Sequence, residues 1–366
     1  MPRIELDLGT GSNPGVDGQI SGARLINSRI KSLPVGSKYV KAAFATAGLK
    51  RFDSGSFTGA TRGISKLNED TLVAVQGNEV VEYDADGTAT LKAALPGSGK
   101  VFMARNMKTN TQICIVTKDR QAFLYENGAI TQITDPDLPP PNSVGFLDGY
   151  FVFSIPDGRY FISAINEGAN VDALDFASAE SNADDLVRVF PHKGFIYPFG
   201  TESQEIHQNT GNELFPFEVL QADIGFGLMA GHAVASIESR NSIAWVDKNG
   251  VVQLAQGTVP QAISNDDVVK AIRDLTDSEK ADLEMFAYYD GADEILCLQS
   301  DQWTYEWSAS TGQWNDRESY GLDNWRATRH EFFQNKHIVG DRQTGKLYEI
   351  DPDTHDEDGN YRIPAV

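Results

Sequence analysis

The sequence predicts an all-β fold: a β-propeller-like ring of about six or seven small antiparallel sheets, with a short helical insert near residues 266–286. Three observations lead there. Short apolar runs alternate with turns carrying Gly or Asn. These hairpin units recur along the chain at intervals of very roughly 30 to 60 residues, one gap being wider, which is a spacing typical of repeat architectures. A single segment interrupts the β pattern with helix-capping residues.

The first clear unit runs from Leu72-Val73-Ala74-Val75 through Gln76-Gly77-Asn78 into Glu79-Val80-Val81-Glu82-Tyr83. It turns again at Asp84-Ala85-Asp86-Gly87 toward Thr88-Ala89-Thr90-Leu91. Gly and Asn tolerate the positive φ that tight hairpins demand, so three strands and two turns fit this stretch. Equivalent turns stand at Glu126-Asn127-Gly128, Ile155-Pro156-Asp157-Gly158, Asp247-Lys248-Asn249-Gly250, Ser310-Thr311-Gly312 and Gln343-Thr344-Gly345, each between apolar runs. A small twisted sheet cannot bury both faces alone, and packing such sheets in a ring solves that problem. A pair of stacked β-sandwich sheets is the competing architecture. Pro139-Pro140-Pro141 cannot sit in a central strand and reads as a stiff connection between blades.

Asn265 can cap a helix over 266–273, whose first turn holds Asp266 and Asp267. Thr276 and Glu279 form a capping-box match that opens a second short helix toward Phe286. Val268, Val269, Ile272 and Leu275 share one face, as an insert packed on the sheets requires.

The chain has 366 residues with 52 acidic and 31 basic side chains, a net charge of −21. That balance argues against gripping DNA, which needs a basic surface facing the phosphates. Met1-Pro2-Arg3-Ile4-Glu5-Leu6-Asp7 carries early charges and lacks the apolar core of a signal peptide. No apolar run reaches the roughly 20 residues that cross a bilayer. Synthesis in the cytoplasm without membrane insertion is the expectation. Cys114 and Cys297 lie in apolar runs and read as core residues, too few for a disulfide or zinc framework.

Several stretches imitate chemical motifs. Gly97-Ser98-Gly99-Lys100 resembles the end of a phosphate loop, but Ala94 and Val101 stand where Gly and Ser or Thr are needed. The acidic run Asp351–Gly359 misses the calcium-loop spacing, with Asp356 and Arg362 at the positions that need Gly and Glu, and reads as a solvated tail. The six histidines show no metal-ligand spacing, and no nucleophile elbow is present. The sequence thus nominates no catalytic residue, no metal ligand and no cofactor.

The middle of the chain carries the most specific pattern. Asp175-Phe176-Ala177-Ser178-Ala179-Glu180 leads to Gly194-Phe195-Ile196-Tyr197-Pro198-Phe199-Gly200, then to Asn209-Thr210-Gly211-Asn212 and Phe215-Pro216-Phe217, and closes with Gly225-Phe226-Gly227-Leu228. Nearer the start, Ala23-Arg24-Leu25-Ile26-Asn27 precedes Gly48-Leu49 and Arg62-Gly63. Together these resemble the phage stabilisation family, the tail nozzle or packaged-DNA stabilisation proteins of short-tailed bacteriophages. Ala47 stands where that family usually has Pro, and Asn212 where it has Asp.

The resemblance spans about residues 20 to 350 and implies a non-enzymatic virion protein. It implies a homo-oligomeric ring, a hexamer, below the portal and head-to-tail adaptor. Such a ring would extend the DNA channel, retain the packaged genome, attach a tail spike, fibre or needle, and let DNA pass without sequence-specific binding. Phe215, Pro216, Phe217 and Gly225 become the structural or interface candidates. The implied division is an N-terminal arm over 1–50, a propeller-like domain over 51–350 and an acidic tail over 351–366. Two rivals remain: a glycan-binding propeller presenting Trp303, Trp307, Trp314 and Trp325 as stacking platforms, and a glycan-hydrolysing one.

Overall fold

The computed structural model describes residues 24–33, 41–179, 184–256 and 259–362. Ala23 and Glu180 of the family-like segments, and the N-terminal stretch read for a signal peptide, lie outside the described residues.

The chain folds as a seven-bladed β-propeller. In blades one to six, four consecutive strands form a meander whose sheet order follows chain order, so every connection within a blade is a hairpin. Their innermost strands are Thr61–Lys66, Phe102–Arg105, Ser143–Leu147, Leu186–His192, Val234–Ile237 and Glu284–Asp290. The ring excludes the sandwich alternative, and the blade number falls at the upper end of the expectation.

Blade seven closes the ring differently. Ala327–Phe333, Lys336–Asp341 and Leu347–Asp351 supply three strands. The fourth is Gly48–Arg51, antiparallel to Leu347–Asp351 with Leu49 opposite Ile350. Asp356–Glu357 then lies parallel beside Leu49, and Asn360–Tyr361 turns back on it. Segments from both ends of the chain are therefore woven into one sheet. A separate hairpin, Ser28–Ser32 with Lys41–Ala45, stands outside the blades.

Local chemistry explains the turns. At Asn127-Gly128 both residues have positive φ, 51° and 79°, the combination that makes a two-residue turn follow the strand twist. Between the blades lies the apolar core. Val73, Val75 and Val80 of blade one meet Ile113, Ile115, Phe123 and Tyr125 of blade two, all buried. Each such side chain contributes about 1.5–3 kcal/mol on burial. Cys114 and Cys297 are free and buried in their strands, and 133–142, which holds Pro139-Pro140-Pro141, links blades two and three.

The helical insert lies between blades five and six. Asn265 Oδ1 accepts from Val268 N at 3.0 Å at the start of α1 (Asp266–Arg273), and Val268 and Ile272 are buried. Thr276 and Glu279 form the full capping box of α2 (Asp277–Ala281). The sequence placed the end of this helix near Phe286; it stops at Ala281. From Glu284 the chain pairs antiparallel with Asp293–Gln299, and alternate apolar residues enter the inter-blade cores as the innermost strand of blade six.

Candidate functional site

Three regions concentrate chemistry that a bare scaffold would not need. The first is the ring axis. Inner strands face the channel with one edge and both neighbouring blades with their sides, so their polar residues are forced into the interior. Arg188, Arg329, His232 and Glu284 line a cavity of about 170 Å³ there, and Lys100 lies beside Glu284. Arg329 sits at φ 51°, within a register shift between Thr328 and His330 that aims it inward. Its guanidinium pairs with Glu284 at 3.1 Å, and its Nη1 donates to His232 Nδ1 at 3.0 Å. Lys100 lies 3.5 Å from the same carboxylate and 3.7 Å from Asp282. Arg188, just after a similar shift, donates from Nη1 to Gly231 O at 2.8 Å and stacks its guanidinium on Phe102 and Phe190.

Electrostatics follow from this crowding. Burial favours a protonated Glu284, yet Arg329 and Lys100 outweigh it and hold the carboxyl at about 2. Burial, then Arg329, pulls Arg188 down to about 9. Burial and the same cations push His232 well below its ordinary value, so it is neutral at pH 7. The phosphate-loop imitation had hidden one member of this group: Lys100 turns toward Glu284 and Asp282, while Gly99 O accepts from Arg62 Nε at 2.7 Å. Arg188 and Arg329 escaped the sequence reading altogether. The available signal was a charge at the centre of an apolar strand, as in Leu186-Val187-Arg188-Val189-Phe190.

The second region is the seam between blades six and seven. Glu306 is fully buried and accepts from Tyr288 Oη at 2.6 Å and Asn315 Nδ2 at 3.2 Å. Arg317, also fully buried, lies 3.9 Å from Glu306, donates to Ala47 O at 2.5 Å and covers the Trp325 ring at 4.3 Å. Trp325 Nε1 donates to Glu357 Oε1 at 3.0 Å, and Arg362 donates to Thr46 Oγ1 and O, each at 2.8 Å. The acidic stretch after Asp351 is thus not wholly solvated: Glu357 is 0 % exposed and ties the chain end to the seam.

The third region holds the family-like segment, on blade four. Pro216 and Phe217 are buried and Phe215 half-buried, with Phe215 and Phe217 packed on Tyr160 and Tyr150 at 5.8 and 5.9 Å between ring centres. Gly225 is exposed with open space where a Cβ would go. At Gly227, two residues on, a Cβ would fall 2.3 Å from the Thr201 carbonyl, so close backbone approach requires glycine there. Large apolar side chains reach solvent on two neighbouring blades: Leu174 and Ile165 on blade three, Leu214, Val219 and Leu220 on blade four. Near it, Tyr160, His207 and Glu205 form a buried chain, with His207 Nδ1 2.7 Å from the tyrosine hydroxyl and Nε2 2.6 Å from the carboxylate.

The tryptophan platforms fail on burial. Trp307 and Trp314 are 3 % exposed and Trp325 0 %, while Trp303 is half-buried against Tyr305. They fill inter-blade space because a ring of sheets needs its largest side chains there. Among the described residues no group of three His, Cys, Asp or Glu is placed to hold a metal ion, and no helix is long and apolar enough to cross a membrane.

Fold and contents define a seven-bladed propeller closed by its own N-terminal strand, with charge buried on its axis and at its closing seam. The chain belongs to the phage stabilisation family, whose model, described as "Bacteriophage P22 Gp10, beta-propeller", matches residues 30–355. The role that family membership carries is a structural one in the virion. Among solved structures the chain is similar to the computationally designed Ika8 protein, with 12% identity and a TM-score of 0.52 over 83% of this chain and 100% of that one. It is similar to the WD40 β-propeller domain of Doa1, at 11% and 0.54 over 82% and 97%. It also resembles YCF48, solved bound to a D1 peptide, at 13% and 0.53 over 84% and 96%. At such identities the likeness concerns the fold alone. No curated protein matches the chain.

Proposed function

We propose that this propeller is the subunit of the tail nozzle, a homo-oligomeric ring, hexameric, seated on the head-to-tail adaptor or portal. The ring extends the DNA channel, retains the packaged genome and carries a spike, fibre or needle. Family membership supports the virion role. The observation that supports the ring is the exposed apolar set on blades three and four, with Leu174 at 80 % and Leu214 at 87 % exposure. Several large apolar side chains exposed on neighbouring blades mark an association surface more often than a free one. The net charge of −21 supports passage of DNA without capture, because an acidic lumen repels phosphates. A lumen lined with Lys and Arg would overturn that part.

The test is the mass of the purified chain, alone and with the adaptor–portal complex. The proposal expects a monomer that closes into a ring on the complex. A chain that ignores the complex and binds host polysaccharide saturably would contradict it.

A further inference from the structure

The axial cluster is short of negative charge, in a protein that has carboxylates to spare. Glu284 is committed: it accepts from Thr328 Oγ1 at 2.7 Å and Arg329 N at 2.8 Å while facing Arg329 and Lys100. Asp282 is half-exposed at the rim and faces Lys100. Glu331 lines the adjoining cavity together with Arg105 and Arg188, but burial pushes its carboxyl up and among the described residues it forms no ion pair with Arg188. No carboxylate among the described residues pairs with Arg188. The Nε groups of Arg188 and Arg329 have no hydrogen-bond partner there either, although Arg329 is only 9 % exposed. Leaving such donors and an unpaired guanidinium in the interior is costly unless an anion completes the site.

The surroundings hold both guanidinium groups in place. Phe102 lies between Arg188 and His232, stacked on the imidazole at 3.9 Å. Gly231, whose carbonyl holds Arg188, has no room for a side chain, because a Cβ would meet Phe102 at 2.8 Å. The register shift and left-handed φ at Arg329 are a local strain that this placement retains. Planar guanidinium forks with free N–H groups match the geometry of a tetrahedral oxyanion. The cavity, about 170 Å³, has room for such an ion with a few waters, and is too small for a polymer.

We propose that the axis of this propeller is an anion site, binding a small free oxyanion of the phosphate class between Arg188 and Arg329. The ion neutralises the axis and joins inner strands of blades four and seven across the ring. This assignment is independent of the nozzle reading.

Inorganic phosphate is the probe. Calorimetric titration of the full chain at pH 7, against sodium chloride of equal ionic strength, should show saturable binding at one site. Arg188→Met, which keeps the aliphatic stem, should weaken binding at least about ten-fold. In phosphate-free chloride the same variant should melt at or above the wild-type temperature, since it removes a half-buried charge that has no carboxylate partner. Arg188→Lys, which retains charge without the fork, should fold and bind several-fold more weakly; it decides the matter if Arg188→Met does not fold. A wild-type chain without saturable phosphate binding, or variants that bind as well as wild type, would overturn the proposal.

Discussion

Two interior arginines, Arg317 buried at the closing seam and Arg188 half-buried on the ring axis, meet opposite fates. Burial pulls both guanidinium groups toward neutrality. At Arg317, Glu306, Tyr288 and Glu357 outweigh that pull and the net shift is upward. At Arg188 the second influence is another cation, Arg329, and the group falls to about 9. The seam is a neutralised network that fastens chain segments far apart in sequence. The axis is a set of donors awaiting a counter-ion. Buried charge holds a structure together only where its partner is buried with it.

The largest effect should come from making the seam resemble the axis. Glu306→Leu leaves Arg317 buried without its carboxylate and should cost about 3–5 kcal/mol in urea unfolding. Trp325→Phe keeps the ring packing but strands the Glu357 carboxylate, and should cost about 1–3 kcal/mol by the same measurement. A loss near that of Glu306→Leu would mean that the seam acts as one unit.

Acid tests the axis and its neighbours. Burial, and then His337, holds His330 at about 3 in the folded chain, below the ordinary value of 6.5. The unfolded chain therefore takes up protons below pH 6.5 while the folded one does not, so stability falls as pH drops toward 3. After allowance for partial exposure, His330 should account for about 1–2 kcal/mol between pH 7 and 5, and His330→Asn should flatten the profile. Glu284 contributes in the same direction only at lower pH, from the ordinary carboxyl range down through about 2. Leu174→Ser, remote from both regions, should change monomer stability by less than about 0.5 kcal/mol. The nozzle reading expects the same change to weaken ring formation on the adaptor.

Much of the fold was legible because its signals are local. Asn127-Gly128 and Gly250 announce hairpins within a few residues, and Asn265 and Thr276 announce helix starts. What escaped is long-range. Nothing in Gly48-Leu49-Lys50-Arg51 says that its partner is Leu347–Asp351, because pairing across the closed ring leaves no turn between them. Nor does a strand's alternation reveal that Arg188 and Arg329 face an axis rather than solvent. Register shifts at those positions break the period on which such a reading depends. Glu357 looked like part of a solvated acidic run for the same reason: its partner Trp325 belongs to another segment.

The most direct measurement sets Arg317→Met beside Arg188→Met in urea unfolding at pH 7 in phosphate-free chloride. Opposite signs are expected: a loss of about 3–5 kcal/mol at the seam, and no loss or a gain on the axis. Equal losses at the two positions would contradict this, because the axial arginine would then be as well partnered within the chain as the one that closes the ring.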